Sequence, residues 1–288
     1  MSVWEALPIL QNGILACLIT ALVCSFLGVY VILKRVVFMT AALSQASSLG
    51  IAVALLFGIW MDIPIGEGGT AEPTMSATAL PMFFAILFAC AAASLLASLH
   101  TERRLTRESL LGIAYAIPAA LTLLILDRIG GATYDINNLL FGNAVFISSG
   151  QLIFLAISAV VVLLIHGVLY KEFIFVSFDY ETAKACGMRT LLLNQILFYS
   201  MAVMISVSIN SIGVLHVFSF MVIPAAAALM LTQSLKQTFI LATLFGGIAA
   251  LAGFYLSFEF SLPTGPAMIA VASLLFLPGV IKSILTRT

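Results

Sequence analysis

The chain is 288 residues long, 62% hydrophobic and 8% charged, with a mean hydropathy of +1.20 and no net charge at neutral pH. Soluble domains carry roughly 25% charged residues, so a water-facing globule is excluded and lipid must be the solvent. The zero net charge argues against a nucleic-acid partner. Four scattered cysteines (Cys17, Cys24, Cys90, Cys186) without a CxxC pair support neither a disulfide frame nor a zinc site.

A helix needs about 20 apolar residues to cross a bilayer. In chain order, apolar runs fall near 8–33, 36–60, 79–99, 109–126, 150–170, 191–210, 211–232, 237–257 and 264–284. The first has no basic residue before it and no small-residue cleavage site, so it reads as a retained helix rather than a signal peptide. The Gly- and Pro-rich segment 61–78 reads as an extracytoplasmic loop. The stretch 191–232 is broken at Asn210, Ser211 and Gly213 and is either two spans or one bent unit. The expected fold is all-α: one polytopic helical membrane domain over 1–288 with about 8–9 transmembrane helices.

Basic residues favour the cytoplasmic side. Nine alternating spans with the N-terminus outside put Lys34, Arg35, Arg103, Arg104 and Arg107 inside. Lys171, Lys184, Arg189, Lys236, Lys282 and Arg287 join them, leaving Arg128 alone outside. The outer loops are acidic, with Asp62, Glu67, Glu72, Asp127, Asp135 and Glu259. Every charged residue fits a loop or a helix end. Because a charge at a helix centre costs roughly 2.5–3.5 kcal/mol, ion-coupled transporters, which need a titratable group at depth, lose weight. HExxH and GxSxG are absent, which argues against membrane proteases. GxxxxGK[ST] is absent too, so the chain does not hydrolyse ATP by that route and energy for uphill transport must come from another subunit.

One segment is out of place among these runs. SFDYETAKACGMRT, residues 177–190, carries Asp179, Glu181, Lys184 and Arg189 and falls on the inner side. Asp179, Ala183 and Gly187 are four apart, which on a continuous helix forms one narrow face that a partner can approach closely. A solvated connecting helix is the plainer alternative.

DYETAKACG resembles the coupling helix of permeases from the zinc/manganese/iron ABC importer family, where an Asp, an Ala and a Gly recur at this spacing. Four further stretches resemble the same family: LSQASSLGIAVAL (43–55), LLFGNAVFISSGQL (139–152), IGVLHVFSFMVIPAAAALML (212–231) and SFEFSLPTGPAMI (257–269). The matches are collinear from about 35 to 280. The resemblance implies an ABC importer permease fold and a multi-pass protein of the bacterial inner membrane. It also implies a homodimer, two ATPase subunits docked on the coupling helices over 172–190, and an extracytoplasmic binding protein that delivers substrate. No permanently bound cofactor is implied; ATP would be consumed by the partner subunit, and this chain would not itself be an enzyme.

The sequence departs from the family at one place. The second span of such permeases usually reads Gly-Asp-x-x-Ser-His, with Asp and His on one helix face as metal ligands at the gate. Aligned on Ser44, the Asp position is Ala41 and the His position is Gln45. Ala41, Ser44, Gln45 and His216 are therefore candidates for the translocation pathway, with Gln45 and His216 the candidate metal contacts. His216 is read as lying at depth in the 212–231 helix, with an imidazole bonded inside the bundle as the plainer alternative. His100 and His166 read as structural or interfacial, and Met39 and Met221 as packing with a possible thioether contact. The cargo is a bare divalent metal held weakly, a metal held by His216 in place of the lost residues, or a metal chelate that brings its own ligands. A stand-alone secondary transporter, working without an ATPase, is the rival class.

Overall fold

The computed structural model describes residues 3–61, 75–98, 106–129 and 147–285. Among the described residues there are eleven helices: α1 (Val3–Leu33), α2 (Val37–Trp60), α3 (Met75–Ser98), α4 (Arg107–Ile129), α5 (Ser149–Val168), α6 (Tyr170–Phe178), α7 (Tyr180–Ala185), α8 (Thr190–Ile212), α9 (Val214–Leu231), α10 (Leu235–Glu259) and α11 (Thr264–Leu285). Nine of them are long and apolar enough to span a bilayer. The choice between eight and nine is made at Gly213, whose φ of 87° and ψ of 163° stop α8 and start α9. An L side chain rarely adopts that backbone, so glycine lets the chain turn between two separate spans. The loop expected over 61–78 is shorter than that: Trp60 closes α2, and helix has resumed by Met75. Residues 62–74, and 139–146 of the Leu-Phe-Gly segment, lie outside the described residues. The rest of that segment starts α5 by a capping box: the Ser148 hydroxyl accepts from the Gln151 N–H at 3.3 Å, and the Gln151 side chain accepts from the Ser148 N–H at 3.2 Å.

The spans pack as two groups. In one, α2 lies against α3, α4 and α8; in the other, α1 lies against α9, α10 and α5, and α9 against α11. Cross-links fix the directions. Ser94 and Tyr199 hydroxyls meet at 2.7 Å near one end of α3 and α8, and Ser206 donates to the Ala85 carbonyl at 3.2 Å nearer the other, so these helices are antiparallel. The ends of α1, α3, α5 and α9 and the starts of α2, α4 and α8 share one face with Lys34, Lys171, Lys184, Arg189 and Lys236. The positive-inside rule makes that face cytoplasmic.

Helix α9 carries Pro224, which has no N–H to give the Phe220 carbonyl one turn back. The Ser25 hydroxyl of α1 supplies the missing donor at 3.1 Å. One turn further along α1, Gly28 lies directly on the Met221 backbone, where an added Cβ would collide with the carbonyl. Close approach and hydrogen bond thus depend on each other. The inner end of α1 closes with the Arg35 N–H on the Ile32 carbonyl and the Val36 N–H on the Val31 carbonyl, both at 3.0 Å, and Arg35 at φ 56°. This is a Schellman turn with arginine where glycine is usual, at a cost of about 1–2 kcal/mol.

Gly28→Ala should therefore destabilise the folded protein by roughly 1–3 kcal/mol, read as a lowered denaturation midpoint in detergent. Gly112→Ala, where nothing lies within 4 Å of the new methyl, should be neutral or slightly stabilising.

Candidate functional site

The polar segment 177–190 is not one continuous helix. Asp179 is the N-cap of α7, its carboxylate accepting from the Thr182 N–H at 3.0 Å and the Thr182 hydroxyl at 2.5 Å. Gly187 lies past the other end at φ 80°, and its N–H bonds the Lys184 carbonyl while the Met188 N–H bonds the Ala183 carbonyl. That pair of bonds is a Schellman motif, for which glycine is the usual residue. The shared face expected of Asp179, Ala183 and Gly187 is thus corrected. A four-residue spacing also fits a cap, an inward anchor and a stop. Ala183 is fully buried and points into the protein, whereas Glu181, Thr182, Lys184, Ala185 and Cys186 are exposed. Sequence reasoning missed these outward residues, although their polarity was the available signal.

The hook is tied to the bundle through α6. Phe173, 1% exposed, packs on Tyr30 of α1 and His166 of α5, at ring-centroid distances of 6.2 and 5.0 Å. His166 is itself buried, its Nδ1–H donating to the Val162 carbonyl at 2.9 Å, which fits the structural reading of this residue. His100 lies outside the described residues.

The second-span candidates lie on α2. Ser44 is buried and donates to its own helix, at the Thr40 carbonyl, at 2.8 Å. Ala41 and Gln45 are half-buried and share a stripe of α2 with half-buried Leu49 and exposed Phe38, Leu56 and Trp60. Beside it, α9 leaves Leu215 and Leu229 exposed and Phe218, Val222 and Ala226 half-buried. Gln45 sits about 12 Å from the inner start of α2, at hydrocarbon depth, and its amide has no hydrogen-bond partner among the described residues. An amide facing lipid there would be costly, so this stripe fits a partner surface or a wet pathway better than it fits lipid.

His216 lies elsewhere. It is the third residue of α9, near the outward end, not deep in the helix. Its ring is 1% exposed, seated on Gly265 of α11, and neither nitrogen has a hydrogen-bond partner among the described residues. It is off the α9 stripe and, counted from the inner ends of the two helices, about 10 Å further along the membrane normal than Gln45 by helix rise. The fold does not bring the two candidate metal contacts together. Met39 and Met221 are buried as packing, and among the described residues no group of three or more His, Cys, Asp or Glu could hold a metal.

Hydrogen bonds from Thr182 hold the Asp179 carboxyl below its ordinary value of 3.8. A depressed folded-state value means the carboxylate cap contributes fully above about pH 4 and is lost as pH falls through that lower value. Amide exchange at Thr182 should accordingly be independent of cap ionisation near neutral pH and rise only in strong acid. In Asp179→Ala it should be fast throughout.

A family model described as ABC 3 transport family matches residues 6–283. The manganese transport system membrane protein MntC of Listeria monocytogenes is 27% identical over 93% of this chain and 88% of that protein. The chelated iron transport system membrane protein YfeD of Yersinia pestis is 28% identical over 96% and 86%. Among solved structures, PsaBC from Streptococcus pneumoniae in complex with Fab superposes with a TM-score of 0.79 at 22% identity, covering 96% of this chain and 93% of that one. With nine apolar spans, a polar inner hook and a family match over nearly its whole length, the chain belongs to the ABC 3 transport family of multi-pass membrane permeases.

Proposed function

We propose that the chain is the membrane permease of an ATP-driven importer for a transition metal, with manganese or iron as cargo. The observation that carries this reading is α7. It is a capped, stopped and outward-charged hook on the basic face of a bundle that has no phosphate loop of its own. Two copies of a separate ATPase would dock on the hooks of two permeases, and an extracytoplasmic binding protein would deliver the metal from the other side. When the ATPases close, force on α7 passes through α6 and Phe173 to α1 and α5, and through Thr190 into α8, which packs on α2 and α3. A rigid-body swing of that kind alternates the opening of a pathway between the two faces.

The partly exposed α2 and α9 stripes supply a surface for the second permease copy. Gln45 and Ala41 of both copies would then face each other across a shared pathway, with Ser44 just behind. That pathway offers neutral oxygen atoms and no carboxylate or imidazole from α2. Manganese accepts oxygen ligands more readily than the softer metals do, and a manganese protein is among the relatives. A second reading is favoured by the same missing ligands: a chelate brings its own ligands and needs none from the wall, and a chelated-iron protein is also among the relatives. Zinc, which prefers nitrogen and sulfur, fits this face least well.

Cys186 tests the hook directly, because it is exposed at the end of α7 while Cys17 and Cys24 are buried. A membrane-impermeant maleimide should label Cys186 in inverted vesicles and not in intact cells, and bound ATPase should protect it. Labelling from outside, or no protection, would remove the coupling role. For the pathway, Gln45→Leu should lower metal uptake about tenfold, as expected for loss of one polar contact worth about 1.4 kcal/mol. Uptake should be measured with manganese and with chelated iron in parallel, at unchanged permease abundance.

A further inference from the structure

A cleft of about 710 Å³ opens at the inner end of the bundle, between the end of α1, the α6–α7 hook, the start of α8 and the end of α9. That volume lies within the range of roughly 300–1,000 Å³ typical of small-molecule sites. Its walls are of two kinds. Leu33, Phe178 and Leu191 are apolar, and Phe178 and Leu191 are 68% and 49% exposed. Facing them are Lys34, Arg35 and Ser177.

Each of the three polar groups is held in an unusual way. Ser177 lines the cleft and is 7% exposed, and its hydroxyl, turned away from solvent, has no hydrogen-bond partner among the described residues. A buried hydroxyl without a partner is uncommon, and rotation of the Ser177 side chain about χ1 would bring it to a ligand atom in the cleft. Arg35 takes the left-handed turn position that glycine would occupy without strain. The exchange keeps a guanidinium at the cleft rim, and strained residues of this kind cluster at ligand sites. Lys34 is fixed in place, with Nζ 2.6 Å from the Asn194 Oδ1 and 5.7 Å from the centre of the Phe198 ring. Glu181 is the acidic residue of the lining, so two cations against one carboxylate leave one positive charge.

We propose that this cleft seats the phosphate of an anionic phospholipid from the inner leaflet. Lys34, Arg35 and the Ser177 hydroxyl take the phosphate, and the apolar wall takes the upper acyl chain. Basic pockets between span ends on the cytoplasmic side are the usual seat of such headgroups. A free phosphate would match the cations equally well but would leave Leu33, Phe178 and Leu191 uncovered. A lipid here touches both α1 and the hook and so braces α6–α7 from the membrane side. The cleft does not depend on the transport reading, and its test reads binding without transport.

The experiment uses the purified full chain in phosphatidylcholine nanodiscs with and without phosphatidylglycerol, with retained lipid counted by native mass spectrometry. The wild type should retain phosphatidylglycerol selectively. Arg35→Gln should weaken that retention about fivefold, the effect of one interfacial charge, and Ser177→Ala should weaken it as well. Lys236→Gln, an exposed cation of the same face outside the cleft, should leave it unchanged. Arg35→Gly separates a binding role from a structural one: relief of the turn should raise thermal stability while retention falls. Retention that is unchanged in Arg35→Gln, or equally reduced in Lys236→Gln, overturns the site. Millimolar inorganic phosphate that displaces the lipid in proportion to its charge, and binds in detergent with the same Arg35 dependence, overturns the lipid as occupant.

Discussion

Backbone contact between helices is the constraint on which this structure depends. In hydrocarbon, apolar side chains gain nothing by leaving lipid for protein, so spans associate through close packing and a few hydrogen bonds. Gly28 on the Met221 backbone and Gly50 on the backbone of Phe84 and Ala85 bring α1 to α9 and α2 to α3 at the shortest range. Gly253 does the same for α10 on Met268 of α11. At such distances a single hydroxyl can reach a neighbouring carbonyl, and Ser25 does so at the carbonyl that Pro224 leaves without a donor. A bulkier residue at position 28 would remove both the contact and the repair.

The same economy governs the other polar side chains. Ser44, Thr122, Ser219 and Thr243 return their hydroxyls to carbonyls of their own helices and present little polarity to neighbours. Against that background Gln45 is conspicuous, because an amide cannot be hidden this way and this one has no partner among the described residues. His216 is the opposite case: polar, fully enclosed and seated on a glycine, it closes the outward ends of α9 and α11. The two residues looked alike as replacements for lost ligands and have different surroundings.

At the inner end, the hook and the cleft share walls. Val176, Ser177 and Phe178 belong to the helix that carries the hook, and Lys34 and Arg35 to the end of the first span. Whatever moves α7 therefore also changes the cleft. The aromatic group of Tyr30, His166 and Phe173 sits one layer deeper and makes α6 a rigid extension of the bundle, not a loose connector.

Nearly all the spans were legible from residue order, because hydrocarbon imposes a local rule: about 20 apolar residues in a row, with cations at one side. The ends of α7 were legible in principle for a similar reason, since Asp179 and Gly187 act on groups a few residues away. Reading their spacing as one face was an error about local geometry, not about location. What no local rule could supply was the facing of each span. A helix that is apolar all round carries no periodic signal of which side packs inward, so Gln45 on a half-exposed stripe and His216 in an outer turn emerge only after the helices meet. The cleft is the clearest instance, assembled from residues near 34, 177, 191 and 229. Steric fit between distant backbones decides such neighbours, and that fit is a property of pairs of helices, not of any one stretch of chain.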